Sequence, residues 1–145
     1  MKIAIGSDHA GYLRKLELVE HLKKEGDEVF DVGTNSLDSC DYPDFGIACA
    51  KMVANKEADF GVLVCSSGEG IMMAANKVKG IRCGIAYNDD VARLMRQHNN
   101  ANMIAFGASF MSKEEVLART DIFLHTEFEG GRHERRVNKI LVAEK

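Results

Sequence analysis

The chain has 145 residues, of which 46% are hydrophobic and 28% charged, and its formal net charge is −3. This balance is ordinary for a globular protein with a buried core. The slight acidity gives no reason to expect binding to nucleic acid or to an anionic membrane surface. No apolar stretch approaches the roughly 20 residues that a membrane helix needs. The first residues, MKIAIGSD, are typical of a strand rather than of a secretory leader, so we expect a cytoplasmic protein.

The strands are predicted from short apolar runs at residues 2–6, 28–32, 61–65, 82–86 and 103–106. Several of these runs are continuous rather than alternating, as in a parallel sheet that is covered on both faces.

Helical patterns alternate with these strands. Apolar residues three apart over 13–22 predict a first helix that ends near Gly26. Further helices are predicted at 45–54, 71–78, 91–97 and 113–123. Pro43 is expected in the loop before the helix at 45–54. The alternation predicts one α/β domain over residues 1–145, with an open, doubly wound, parallel five-stranded sheet.

In such a sheet a ligand lies beyond the carboxyl ends of the strands. The loops expected there are rich in polar and titratable residues: SDHAG, GTNSLDSCDYPD, SSGEG and YNDD. The fold therefore selects a small part of the sequence as the candidate site.

The loop after the third strand fits none of three familiar motifs. Gly68 and Gly70 match a dinucleotide fingerprint, but Met73 stands at its third glycine. In the first loop, Tyr12 stands where a P-loop needs lysine. A phosphotyrosine phosphatase of low mass would need arginine where Ile71 stands.

A more general chemistry remains for this loop. Backbone N–H groups of residues 66–70, with the helix that follows, can surround an anion or a developing oxyanion. We call these backbone N–H groups the nest. Cys65 borders the nest, and the N-terminus of the following helix favours the thiolate form of its side chain. The arrangement suits proton abstraction next to a carbonyl, and it suits thioester chemistry equally well. The alternative is that Cys65 is a small buried residue at the end of a strand.

Four cysteines, Cys40, Cys49, Cys65 and Cys83, are widely spaced without a C-x-x-C pair. This spacing predicts neither a zinc site nor a disulfide framework, so we expect reduced thiols and no metal.

Asp8 and His9 follow the first strand, where they could open a sugar ring, orient hydroxyls or bind phosphate. The alternative for Asp8 is that it caps the next helix. His98 and Asn99 lie where the fourth helix should end, and both residue types favour a helix C-terminus for structural reasons alone.

The stretch GGRHERR predicts a C-terminal helix from about residue 131. On it Arg132 and Arg136 are four apart, so they share a face and could bind one phosphate together. The alternative is a solvated basic turn.

Taken together, these stretches resemble the B-type ribose-5-phosphate isomerase family, which also includes subunits of galactose-6-phosphate isomerases. The stretches that carry the resemblance are SDHAG, VGT, DYPDF, GVLVCSSGEG, ARLMRQHNNANM and FEGGRHERR. The resemblance implies a Rossmann-like sheet, and a homodimer or tetramer whose sites are shared between subunits. It also implies interconversion of aldose and ketose phosphates through an enediol, without a metal or cofactor.

By position, the resemblance implies three catalytic residues. Cys65 is the base that moves a proton between C1 and C2, Ser67 assists ring opening or binds the sugar, and His98 opens the ring from the neighbouring subunit. The substrate-binding residues that it implies are Asp8, His9, Ser66, Gly68, Glu69, Gly70, Asn99, Arg132 and Arg136. Among them Asp8 contacts sugar hydroxyls, and His9 and the two arginines contact the phosphate. Asn99 also comes from the neighbouring subunit.

Two departures from the family pattern bear on the substrate. Where the family commonly has CGTGxG, this chain has CSSGEG, which adds a side chain at Ser66 and an acid at Glu69. Ser109 stands where many members have an arginine near the phosphate. Ribose 5-phosphate is the first expectation, and a six-carbon or four-carbon sugar phosphate is the alternative. Two other readings are a non-catalytic, flavodoxin-like nucleotide-binding module and an inactive partner subunit, although retention of Cys65 and His98 argues against the latter.

Overall fold

The structure, a computed structural model, describes residues 1–145. The strands are β1 (Lys2–Ser7), β2 (Glu28–Asp31), β3 (Phe60–Cys65), β4 (Cys83–Ile85) and β5 (Met103–Gly107). The helices are α1 (Tyr12–Lys24), α2 (Tyr42–Ala54), α3 (Glu69–Asn76), α4 (Asp89–Gln97), α5 (Lys113–Leu124) and α6 (Arg132–Val142). None of these helices has the length and apolar character needed to cross a membrane.

The strands form one parallel sheet in the order β2-β1-β3-β5-β4. The predicted five-stranded parallel sheet is therefore confirmed. β3 lies at its centre, where Leu63 pairs with Gly6 on one side and with Ala105 on the other. The loop after β3 is consequently flanked by the loops after β1 and β5.

Helices cover both faces of the sheet because alternate strand residues point to opposite sides. Ile3 and Ile5 join a cluster with residues of α1, α4 and α5, whereas Ala4 joins a second cluster with residues of α2 and α3. Cys65 belongs to the second cluster. Its side chain therefore lies on the face that α2 and α3 cover.

Three of the differences between predicted and observed boundaries have a clear physical reason or bear on the site. Pro43 lies in the first turn of α2 rather than in the preceding loop, because the first turn needs no N–H from it. α3 begins at Glu69 rather than at residue 71, so the short loop 66–68 that follows Cys65 leads directly into a helix. β4 is limited to Cys83–Ile85, and the N–H of Arg82 bonds to the Asn102 side chain instead of extending the strand.

Three glycines allow loops to meet at the end of β3. A Cβ on Gly11 would lie 2.5 Å from the carbonyl oxygen of Val64, and one on Gly107 would lie 2.5 Å from that of Ser67. Gly68 has a φ of +85°, in the left-handed region that favours glycine. Side chains at these positions would push the loops apart.

A buried ion pair holds the segment after β2. The Lys15 side chain is completely buried, and its Nζ bonds Asp31 Oδ1 at 2.6 Å and the carbonyl oxygen of Thr34. Because a buried ammonium group is costly without such partners, Lys15 fixes the start of the loop 35–41 against α1.

We expect Gly11→Ala to lower the free energy of unfolding by about 1–3 kcal/mol, because its Cβ would overlap the Val64 carbonyl group. Gly84→Ala is the matched control, since its Cβ would meet only the flexible end of Met95, at 3.3 Å. Urea unfolding of both variants measures the difference. Equal midpoints for the two variants would contradict the proposed close approach.

Candidate active site

The loop after β3 surrounds the Cys65 thiol with hydrogen-bond donors. Cys65 is the last residue of β3 and is 5% exposed. Its Sγ accepts a hydrogen bond from the N–H of Gly68 at 3.1 Å. The left-handed φ of Gly68 turns the chain back over the sulfur, so this N–H stabilises negative charge there.

Further donors lie beside this sulfur. The N–H groups of Ser66 and Ser67 have no acceptor within the chain. The N–H of Glu69 donates to Ser67 Oγ at 3.2 Å, at the N-terminus of α3. A thiolate at this position can remove a proton, and the neighbouring unpaired N–H groups and helix N-terminus can stabilise the oxyanion that results.

Ser66 and Ser109, the two serines that depart from the family pattern, contact each other. Their Oγ atoms are 2.9 Å apart, and the N–H of Ser109 donates to the carbonyl oxygen of Ser66 at 3.1 Å. The N–H of Ala108 likewise donates to the carbonyl oxygen of Cys65 at 2.9 Å. The loop after β5 is therefore fixed to the nest, a pairing that no sequence pattern indicated.

Asp8 and His9 lie beside the nest, at the end of β1. Asp8 is buried, and its Oδ1 accepts from the N–H of Gly11 at 3.1 Å. Gly11 itself is the N-cap of α1, so Asp8 caps the turn of residues 9–11 that leads into the helix rather than the helix itself. His9 Nδ1 accepts from the N–H of Cys40 at 3.2 Å, which leaves its Nε2 without a partner.

His98 and Asn99 lie at the other edge of the sheet. His98 is the C-cap of α4, and the chain then runs directly into the start of β5. Because crossover helices run antiparallel to the strands, α4 ends at the edge where strands begin, which we call the amino edge. Cys65 lies at the opposite, carboxyl edge, so one chain does not bring His98 to its own Cys65.

The arginines of α6 also lie at the amino edge. The His133 and His98 rings stack with centroids 4.2 Å apart, and the other end of α6 is held where the Glu144 carboxylate accepts from the N–H of Gly80 at 3.0 Å. Both Arg132 and Arg136 are exposed. From the sequence we placed only His98 and Asn99 on a neighbouring subunit. The structure places Arg132 and Arg136 at the same edge as His98 and Asn99.

Glu129 and His133 are parts of this region that sequence reasoning missed. Glu129 Oε1 lies 3.4 Å from His98 Nε2 and 3.7 Å from His133 Nε2. Burial, and secondly the neighbouring His98, lower the pKa of His133. The only signal in the sequence was the four-residue spacing of Glu129 and His133, which places both near the start of α6.

A buried arginine holds the loop that carries His98. The Arg96 guanidinium lies 4.9 Å from the centre of the Phe60 ring and donates to Asn100 Oδ1 at 2.9 Å and to the carbonyl oxygen of Ala101 at 2.7 Å. Asn100 takes a left-handed φ of +47°, which asparagine tolerates better than most residues. These contacts fix the position of His98 and Asn99.

The residues around Cys65 at the carboxyl edge and those around His98 at the amino edge do not form an enclosed site within one chain. None of the cavities is lined by Cys65, and a cavity of about 390 Å³ at the amino edge is lined by Asn99 but by neither Arg132 nor Arg136. Each edge thus presents an open surface.

A model of a family described as ribose/galactose isomerase matches residues 3–140. The chain belongs to this family. Ribose-5-phosphate isomerase B of Escherichia coli is 43% identical over 143 residues, which cover 99% of this chain and 96% of that protein. The family resemblance inferred from the sequence is confirmed.

Solved structures of isomerase family members agree. Ribose-5-phosphate isomerase B of Clostridium thermocellum is 48% identical with a TM-score of 0.98, covering 99% of this chain and 97% of that one. The enzyme of Mycoplasma genitalium, solved with bound ribulose 5-phosphate, is 43% identical with a TM-score of 0.95, covering 99% and 95%. The Rossmann-like fold expected from the resemblance is also confirmed.

We expect iodoacetamide at pH 8 to alkylate Cys65 of this isomerase family member well before Cys49 and Cys83. Burial raises the pKa of Cys49 from an ordinary 9.0 to about 12, which lowers its thiolate fraction about a thousandfold. Burial also raises the pKa of Cys83. Cys65 instead has an N–H donor on its sulfur.

Mass spectrometry of peptides sampled over time measures this order of reaction. In denaturing urea, where burial is lost, all four cysteines should react at similar rates. Alkylation of Cys49 as fast as Cys65 in the native protein would contradict the assignment.

Proposed function

We propose that this protein interconverts ribose 5-phosphate and ribulose 5-phosphate without a cofactor, with Cys65 as the catalytic base. The observation that carries the proposal is the Cys65 sulfur, which accepts the Gly68 N–H beside the unpaired N–H groups of Ser66 and Ser67. Relatives such as the Escherichia coli protein are named ribose-5-phosphate isomerase B, and the Mycoplasma genitalium structure contains ribulose 5-phosphate.

In the proposed reaction, the Cys65 thiolate takes the proton from C2 of the open-chain aldose. The C2–H electron pair forms the C1–C2 double bond, and the carbonyl pair moves to O1, which gives an enediolate. The N–H groups of residues 66–70 stabilise the oxyanion. The thiol then returns the proton to C1, while the O2 proton moves to O1, so that the ketose forms at C2.

The other residues at the carboxyl edge bind the sugar. Asp8 accepts hydrogen bonds from sugar hydroxyls, and Ser67 Oγ lies on the nest, where it binds the sugar or assists ring opening. Glu69 and Gly70 contribute the first backbone groups of α3. His9 directs its free Nε2 toward the phosphate.

We propose that Arg132 and Arg136 bind the phosphate from a second copy of the chain, with His98 opening the ring and Asn99 beside it. Two exposed guanidinium groups four residues apart on α6 suit bidentate contacts to one phosphate. The two half-sites lie at opposite edges of one chain, so a homodimer, or a tetramer built from such dimers, brings complementary halves together. All four thiols are free, which supports the cytoplasmic localisation that we propose.

The contact between Ser66 and Ser109 favours a second candidate substrate, a six-carbon or four-carbon sugar phosphate. Two neutral hydroxyls at this wall of the site leave phosphate binding to His9 and the arginines, and they could hydrogen-bond additional sugar hydroxyls instead. Comparison of kcat/KM for ribose 5-phosphate, galactose 6-phosphate and erythrose 4-phosphate decides between the candidates.

We expect Cys65→Ala to lower kcat about 10²–10⁴-fold, the usual contribution of a positioned base. The variant should also stop exchange of the C2 proton of the substrate with solvent deuterium, which NMR measures. Cys49→Ala is the matched control and should retain both activities, because this thiol lies in α2 within the core and takes no part in the proposed site. Full activity of Cys65→Ala would contradict the assignment of Cys65 as the catalytic base.

We expect Cys65→Ala and His98→Ala chains to complement each other. In each mixed dimer one site contains both substitutions and the other contains intact Cys65 from one chain and intact His98 from the other, so activity should return after subunit exchange. Native mass spectrometry verifies that mixed dimers have formed. Absence of recovery in verified mixed dimers would rule out a shared site.

A further inference from the structure

Three side chains that can bind a metal meet at the amino edge. His98 Nε2 and His133 Nε2 both approach Glu129 Oε1, at 3.4 Å and 3.7 Å, and all donor atoms lie within 4.8 Å of one another. They come from separate elements: His98 from the end of α4, His133 from the first turn of α6, and Glu129 from the segment before it. We call these three residues the His–Glu–His cluster.

The distances in this cluster are close to those of a tetrahedral site. Zinc binds histidine nitrogen and carboxylate oxygen at about 2.0–2.2 Å, which separates neighbouring ligand atoms by roughly 3.3–3.6 Å. Both contacts to Glu129 are near this separation. The two imidazole rings are stacked at 11° to each other, so the half-exposed His98 ring must turn for both nitrogens to point at one ion.

The donor chemistry selects the kind of ion. Two imidazoles and one carboxylate suit Zn²⁺ and other late divalent metals, whereas Mg²⁺ and Ca²⁺ prefer oxygen ligands alone. The positive charges of Arg132 and Arg136 lie close enough to influence His133, and they oppose a further cation. The site should therefore exchange its metal rather than hold it permanently.

We propose that the His–Glu–His cluster binds Zn²⁺ and that the bound ion inhibits the enzyme. The inhibition, but not the binding, rests on the proposed function, in which His98 opens the sugar ring. A metal on His98 Nε2 occupies the lone pair that would carry the proton, so His98 can neither donate nor accept one. Three protein ligands leave a fourth position for water or for an oxygen of inorganic phosphate.

Cobalt measures binding without reference to activity. The full-length protein with Co²⁺ should develop the visible absorption of a tetrahedral site, which Zn²⁺ then removes by displacement. Glu129→Gln and His133→Ala should each weaken Co²⁺ binding at least about tenfold, through loss of one ligand. His125→Ala is the matched control, because His125 is an exposed histidine outside the cluster, at the end of α5.

Two spectroscopic results would overturn the site. The first is an absorption spectrum that is the same in Glu129→Gln, His133→Ala and the wild type. The second is a cobalt–thiolate charge-transfer band, which would assign the metal to a cysteine instead. Circular dichroism of each variant verifies that the fold is retained.

Activity assays then test the inhibition. Zn²⁺ should inhibit the wild type and His125→Ala equally, and the concentration for half-inhibition should rise at least about tenfold in Glu129→Gln, each compared with its own rate without metal. Equal inhibition of all three proteins would refute the inhibitory role. If the wild type has no isomerase activity, the proposed function fails, while the cobalt spectra still decide whether the metal site exists.

Discussion

Three loops approach one another closely around the end of β3, and this contact determines the geometry of the site. The carbonyl oxygens of Val64 and Ser67 lie where side chains on Gly11 and Gly107 would stand, and Gly68 turns in the left-handed region. Because these loops touch backbone to backbone, the Gly68 N–H reaches the Cys65 sulfur and the Ser66 and Ser67 N–H groups stay unpaired. The packing of these loops against one another therefore also determines the geometry of the nest.

The direction of an α/β chain explains why the proposed site requires a second copy of the chain. Each strand delivers its following loop to the carboxyl edge, and each helix returns the chain to the amino edge. Residues after strands, such as Cys65 and Asp8, are therefore separated by the length of the sheet from residues after helices, such as His98. In the proposed site, a single chain provides the base at one edge and the phosphate-binding arginines at the other, and association of two chains combines them.

The parts of this arrangement that follow from local pattern were predictable. Continuous apolar runs predicted the parallel sheet, and the rule for strand ends selected Cys65 and His9 without any tertiary information. Pro43 was misplaced because the helix start was taken from apolar spacing rather than from the preference of proline for a first turn. The edge on which α6 lies was not predictable, since no strand precedes that helix to fix its position. The contact of His133 with His98 depends on that packing, and the family resemblance identified residues without saying which ones share an edge.

The hydrogen bond from the Cys40 backbone to His9 decides which hydrogens the imidazole can carry. A peptide N–H can only donate, so Nδ1 must keep its lone pair, and the neutral ring has its hydrogen on Nε2. The ring therefore always presents an N–H to an anion at that side, and it has no lone pair there with which to take a proton from the sugar. In the proposed site, this hydrogen bond suits His9 to recognition rather than to proton transfer, and the loop 35–41 that provides it is anchored at its base by the buried Lys15.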